Sequence, residues 1–463
     1  MIKNSSCDCG REFKCSLKCH NSELRFRFES STIETANFEK SKPHRLATMF
    51  RLIWFFVPAF CYIGVCESLN PSLEDNTQTH DGIYSHAHVF KGSSKHLSSR
   101  SNVEKRDRIR YDQTHEVIFA VQQKNMHELT SILYDISDPD SPNYGQHWSN
   151  VEVTEFTSNP QGRDAVVSYL NSNGASVVSE TRSGEYITAR APVEIWEKML
   201  DTEFYAFRMT HGDTSVQNFI RAEHYSVPRE LSEHVACVLN TIEMFDQMSK
   251  QTKSVPMTKK GEFSTAGAGY MTPDAIRSYY NMTGTSGSIN STQMIYASVG
   301  QYFSPANLAT FQAWANSPVI PAASLIGGHV DDQKCYIESN CAEANMDMQY
   351  IMTVSPYSPT TYWYTDLWFS EFLRDVVNTA KPPKVISFSY AQIETYIPPH
   401  VFDSFDGEAI KLGIQGTTIF AASGDDGVHD FRARADRSLC GYVPFFPASS
   451  PYVISVGGTI VSI

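Results

Sequence analysis

Two carboxylates four residues apart are the first place in this chain where residue type and spacing point to chemistry. Glu343 and Asp347 lie in the run C-A-E-A-N-M-D-M-Q-Y-I-M, residues 341–352, whose pattern reads as a helix. Side chains four apart on a helix are neighbours, with Cβ atoms about 5–6 Å from one another. Two acids so placed, once buried, alter each other's proton affinity and titrate as a pair. That is what a device for taking up and returning a proton requires. On an exposed helix the same spacing gives only a solvated pair, so the surrounding chain must decide.

The elements around the pair form a repeating pattern. M-I-Y-A-S-V-G-Q, residues 294–301, is a short apolar run suited to a buried parallel strand. A-N-L-A-T-F-Q-A-W-A-N-S is helical, and the acid-pair helix follows it. P-T-T-Y-W-Y-T-D reads as a strand and D-L-W-F-S-E-F-L-R-D-V-V-N-T as a helix. K-V-I-S-F-S-Y, residues 384–390, and G-T-T-I-F-A-A-S-G-D-D-G, residues 416–427, are two further buried strands, separated by the helix D-S-F-D-G-E-A-I-K-L-G-I-Q. Strand and helix alternating in this way predict a parallel sheet covered on both faces. Ligands of such folds bind beyond the carboxyl ends of the strands, and S-G-D-D-G lies at one such end.

Ahead of this α/β part, residues 113–245 alternate strand-like and helix-like runs with antiparallel pairing, including A-S-V-V-S-E and G-E-Y-I-T-A-R-A-P across a turn at Ser183-Gly184. They describe a compact α+β domain. Residues 246–268 are poor in large apolar side chains and carry Lys250, Lys253, Lys259 and Lys260. They read as an accessible linker, either a cleavage site or a passive tether. Residues 269–463 hold the amino-terminal part of the second domain.

The chain has 463 residues, 41% hydrophobic and 19% charged, and a net charge of -13, which fits folded domains and argues against a nucleic-acid partner. An acidic surface is consistent with a secreted, lysosomal or vacuolar setting. Residues 1–48 form an upstream segment that sits awkwardly with the remainder, and Met49 reads as an alternative start. Residues 49–66 contain an apolar run from Leu52 to Val65, too short for a bilayer span and similar to a secretory signal peptide or signal anchor. Residues 67–112, polar and rich in Ser and His, read as a flexible leader. Cys7, Cys9, Cys15 and Cys19 do not have the usual zinc-site spacing, so no metal is expected from them. Cys335 and Cys341 bracket a short loop before the acid pair and suit a local disulfide in an oxidising compartment. Asn281 and Asn290 open glycosylation sequons.

Four motifs in order resemble the sedolisins, the serine-carboxyl peptidases that include lysosomal tripeptidyl peptidase and pro-kumamolisin precursors. S-D-P-D-S-P-N-Y-G-Q-H-W-S is similar to the family's propeptide signature, E-A-N-M-D to its E-x-x-x-D helix, A-A-S-G-D-D-G to its S-G-D turn, and F-P-A-S-S-P-Y-V-I-S-V-G-G-T to the apolar block that follows. The resemblance implies a subtilisin-like parallel sheet flanked by helices, preceded by a ferredoxin-like α+β propeptide. It implies Glu343 as base for a serine nucleophile, Asp347 as the second acid, and Asp425 as donor to the oxyanion. A carboxylic acid donates only when protonated, so Asp425 needs either an acidic medium or a pKa raised by burial, and the set is expected to work in acid. Ser387, Ser389 and Tyr390 fall on the strand that resembles the family's substrate-lining strand, where an extended peptide adds by backbone hydrogen bonds; Ala391 stands where the family often has Gly.

The family's nucleophile lies in a G-T-S motif well downstream of S-G-D, beyond Ile463. Gly284-Thr285-Ser286 precedes the acid pair and lacks the strand-turn-helix context of a nucleophile. The calcium expected of a complete family member is likewise not sited here. The expectation is therefore a carboxyl-terminally truncated, acid-acting peptidase precursor, inactive as given. Its partners are peptide or protein substrates and its own propeptide, and tripeptidyl and endopeptidase action both remain open. The alternative is a catalytically inactive isoform acting as a propeptide-type inhibitor or binding protein. Use of Glu343 and Asp347 as metal ligands is disfavoured because no His neighbours them in a ligand pattern.

Overall fold

A computed structural model describes residues 13–19, 22–28, 88–93, 102–211, 215–244, 271–282, 284–337, 340–429 and 432–458. The chain divides into two units, residues 1–85 and 86–463. Within the first, strands Phe13–Cys19 and Ser22–Phe28 pair antiparallel. Cys7, Cys9, the signal-like segment 49–66 and the linker 246–268 lie outside the described residues.

In the second unit, the front domain is built on a four-stranded antiparallel sheet. Its spatial order is Val235–Leu239, Thr114–Val121, Tyr186–Pro192, Ser176–Glu180. Taken in chain order this is the 4-1-3-2 arrangement of a ferredoxin-like fold. The sequence makes the elements readable: Thr114–Val121 buries alternate residues, and helix Pro160–Ser172 starts with Pro at its first turn under an Asn159 cap. Helix Val193–Leu200 buries Val193, Trp196, Met199 and Leu200, the spacing of one helical face. The Trp196 indole donates to the carbonyl of His115 at 3.0 Å, tying this helix to the sheet.

Part of the expected leader is folded. His88–Ser93 pairs with His224–Pro228, and Val103–Arg108 pairs with Phe204–His211. The charged run V-E-K-R-D-R carries little apolar surface of its own. It is held by ladder bonds to a hairpin that supplies the apolar side, with Phe207, Met209 and Met244 as its core. Tertiary pairing overrides local composition here.

The second domain has six parallel strands in the order Ser324–Ile326, Thr360–Tyr364, Gln293–Ala297, Val385–Phe388, Thr418–Ala422, Ile454–Val456. All five residues of Gln293–Ala297 are buried, as expected of a central strand covered on both faces. Met294 and Tyr296 face a core with helices Phe369–Val377 and Pro399–Ile414. Ile295 and Ala297 face the opposite core, with helices Pro305–Trp314 and Ala342–Val354. The acid-pair helix thus packs directly on the sheet.

The two domains meet along helix Pro399–Ile414. Ile410 and Ile414 pack with Leu129, Ile136 and Val153 of the front domain. Lys411, fully buried, reaches Glu185 of the front domain and Glu408 of its own helix at 2.8 Å each. The Tyr186 hydroxyl donates to Glu408 at 3.0 Å. Burial disfavours the ammonium, but the two carboxylates outweigh it and raise the Lys411 pKa. A second crossing joins His400 to Glu243 at 2.6 Å.

Candidate active site

Helix Ala342–Val354 begins without a side-chain cap from Cys341. Its first turn is held from outside. Cys341 is joined to Cys335 by a disulfide, and the Glu343 backbone N–H donates to Gln301 Oε1 at 3.2 Å. Ala344, Met348 and Met352 face the sheet, which turns Asp347 towards the carboxyl end of strand Val385–Phe388. There its Oδ1 accepts a 2.8 Å hydrogen bond from the Ser389 hydroxyl. Its Oδ2 is enclosed and has no hydrogen-bond partner among the described residues. Outer atoms of the residue retain some exposure, so the side chain is edge-on to solvent while the carboxyl group is sealed.

That enclosure has an electrostatic consequence. Desolvation, the larger cause, and the negative Glu343 together push the Asp347 carboxyl up to about 8, with the Ser389 hydrogen bond opposing them. Burial of the Asp347 carboxyl beside Glu343 sets this arrangement apart from a solvated pair on a helix surface. Tyr362 and Tyr390 face the pair from neighbouring strands. Burial and the nearby carboxylates raise both phenols.

Of the three residues expected to line substrate, the structure treats each differently. Ser387 pairs with Ile295 on one side and Phe420 on the other. A strand with neighbours on both edges has no ladder positions left, so an extended peptide cannot add along Val385–Phe388, and the expectation fails for Ser387. Ser389 lies just beyond the strand with its hydroxyl committed to Asp347. Tyr390 is buried, its ring against Tyr296 and its hydroxyl 3.5 Å from the Ser298 carbonyl.

Asp425 is exposed in the turn after strand Thr418–Ala422. Phe388 and Ala421 are register partners, so Ser389 and the Ser423-Gly424-Asp425 turn leave adjacent strands on the same sheet edge. Gly424 has φ +102°, and a Cβ there would stand 3.1 Å from the Phe445 ring; the turn demands glycine. Glu343, Asp347 and Ser389 therefore form one cluster, with Asp425 one strand away. Gly284-Thr285-Ser286 precedes strand Gln293–Ala297 and sits at the opposite edge of the sheet, exposed. Asn281 and Asn290 are both exposed.

Beyond the carboxyl edge of the sheet lies a cavity of about 390 Å³ between the two domains. Arg221, Asn240 and Glu243 line it from the front domain, and Ser298, Trp368 and Glu371 from the second. The front domain thus roofs the carboxyl edge of the sheet. Sequence reasoning did not single out these interfacial charges or Gln301. For Lys411 a signal existed, a lone lysine in the apolar run A-I-K-L-G-I. Among the described residues no group of three or more His, Cys, Asp and Glu is placed to hold a metal ion. No helix among them is long and apolar enough to cross a membrane.

Comparison with known proteins agrees with this architecture. Residues 101–244 match the pro-kumamolisin activation domain. The chain is 27% identical over 388 residues to tripeptidyl-peptidase 1 of Dictyostelium discoideum, covering 74% of this chain and 62% of the relative. It is 27% identical over 371 residues to physarolisin of Physarum polycephalum, covering 75% and 61%. Among solved structures it is similar to Pseudomonas sedolisin, a serine-carboxyl proteinase complexed with two molecules of pseudo-iodotyrostatin, at 19% identity and a TM-score of 0.32 over 42% of this chain and 55% of that one. The chain spans about three fifths of the length of the curated relatives it matches. The chain thus carries a pro-kumamolisin activation domain in front and is similar across both domains to tripeptidyl-peptidase 1 and physarolisin.

Proposed function

We propose that this chain is the precursor of an acid-acting serine-type peptidase in which Glu343, Asp347 and Asp425 carry the chemistry. The observation that supports this best is the sealed Asp347 carboxyl, which keeps its proton to about pH 8 beside Glu343 at the edge of the sheet where such folds bind ligands. In this reading Glu343 takes the proton of a serine nucleophile as the hydroxyl attacks a peptide carbonyl. Asp347 keeps the shared proton of the pair and fixes Glu343 in place. Asp425 donates to the oxyanion as it forms, and the proton on Glu343 then passes to the leaving amine. Substrates are peptides, reached once the activation domain has left the cleft, in a secreted or lysosomal compartment.

The test uses the full-length precursor, expressed from residue 67 onward and assayed for peptide hydrolysis between acid and neutral pH. Activity should peak in acid and be lost in Glu343→Gln. Activity that peaks at neutral pH, or that survives Glu343→Gln, sinks the proposal.

A further inference from the structure

The Ser389 hydroxyl is spent on Asp347 rather than left facing the cleft, and the fold explains why it reaches. Strand Val385–Phe388 ends one residue before Ser389, and the acid-pair helix lies across that end with Met348 and Met352 packed onto the sheet. A short side chain is therefore enough to span from strand to helix, giving the 2.8 Å bond to Asp347 Oδ1. Asp347 has no second partner of this kind, since its Oδ2 is enclosed without one among the described residues. One hydrogen bond thus sets the orientation of the inner acid.

We infer that Ser389 is a positioning residue, holding Asp347 so that the acid keeps its carboxyl against Glu343. The inference rests on the reading of Glu343 and Asp347 as the catalytic pair. The bond favours the ionised form of Asp347, against burial and against Glu343 on the same helix. Tyr362 and Tyr390, the phenols facing it from the sheet, stay neutral in the working range. Removing the hydroxyl should therefore act twice. It loosens Asp347, and it lets the pair keep its proton to higher pH.

The test compares Ser389→Ala and Ser389→Thr with Glu343→Gln in the full-length precursor after activation. Loss of one hydrogen bond to the protonated acid predicts a fall in kcat of about two- to tenfold for Ser389→Ala, with KM little changed. The alkaline limb of its pH–rate profile should move up, because the proton of the pair is now lost later. Ser389→Thr, which keeps the hydroxyl, should restore both rate and profile. A uniform fall at every pH, with the limb unmoved and no rescue by threonine, would mean a merely structural role. If a fluorophosphonate labels Ser389 itself, the residue is a nucleophile and the inference is wrong. Full activity in Ser389→Ala with none in Glu343→Gln overturns this inference alone, whereas full activity in both overturns the proposed function as well.

Discussion

Replacing Asp347 by Asn tests the sealed carboxyl without any enzymatic assay. Asparagine is neutral, close in shape, and keeps an oxygen to accept from Ser389. The magnitude follows from linkage. The Asp347 carboxyl is raised to about 8 in the fold, against about 3.9 in an unfolded chain. Between those values the folded state holds a proton that the unfolded state has released, so stability falls as pH rises, by about 1.4 kcal/mol per unit for one such group. The contribution is fully present below about pH 4 and is lost as pH climbs towards 8. From pH 5 to pH 7 the native chain should lose about 3 kcal/mol from this source that Asp347→Asn does not lose. Denaturant unfolding of both proteins at the two pH values measures it. The Asn variant should gain on the native chain by about that amount at the higher pH, and comparing the two proteins cancels other titrating groups, such as the half-buried Asp406. Because the Glu343 charge helps to raise the Asp347 carboxyl, Glu343→Gln should narrow the gap. An advantage of the same size at both pH values would show that Asp347 is not sealed, and the catalytic reading would lose its main support.

Two further outcomes follow from the packing. Lys411→Met leaves Glu185 and Glu408 buried together without their cation, a loss of about 3–5 kcal/mol; the thermal unfolding midpoint should fall, and adding Glu185→Gln and Glu408→Gln should recover most of it. Gly424→Ala puts a side chain at φ +102° and against Phe445, at about 1–2 kcal/mol, and should lower peptidase activity by shifting Asp425 while thermal stability changes only modestly.

Much of the second domain was legible because its strands are buried on both faces and so appear as unbroken apolar runs between helical stretches. The E-x-x-x-D helix could be placed for the same reason, and its start beside Cys335 and Cys341 as well. Burial of Asp347 was not legible, since it depends on a strand end forty residues away in sequence. Ser387 was misread because its residue type says nothing about whether a strand has a free edge; only the sheet order supplies that. The strands at 88–93 and 103–108 were missed because their partners lie far off in sequence, strand His224–Pro228 for the first and the hairpin that begins with Phe204–His211 for the second. Lys411 shows the opposite failure, a polar residue in an apolar run whose counter-charges come from another domain.

The helix Pro399–Ile414 is enclosed from both sides. From Glu408 to Ile414 every residue except Gly413 is buried, one face by the sheet and the other by the front domain. Its amides therefore make a reporter of domain parting. While both domains hold it, hydrogen exchange there requires global opening, and once the front domain departs the outward-facing half of the helix should exchange through local fluctuation. A single stretch of peptide in a mass spectrum would then time the departure, independently of any catalytic readout.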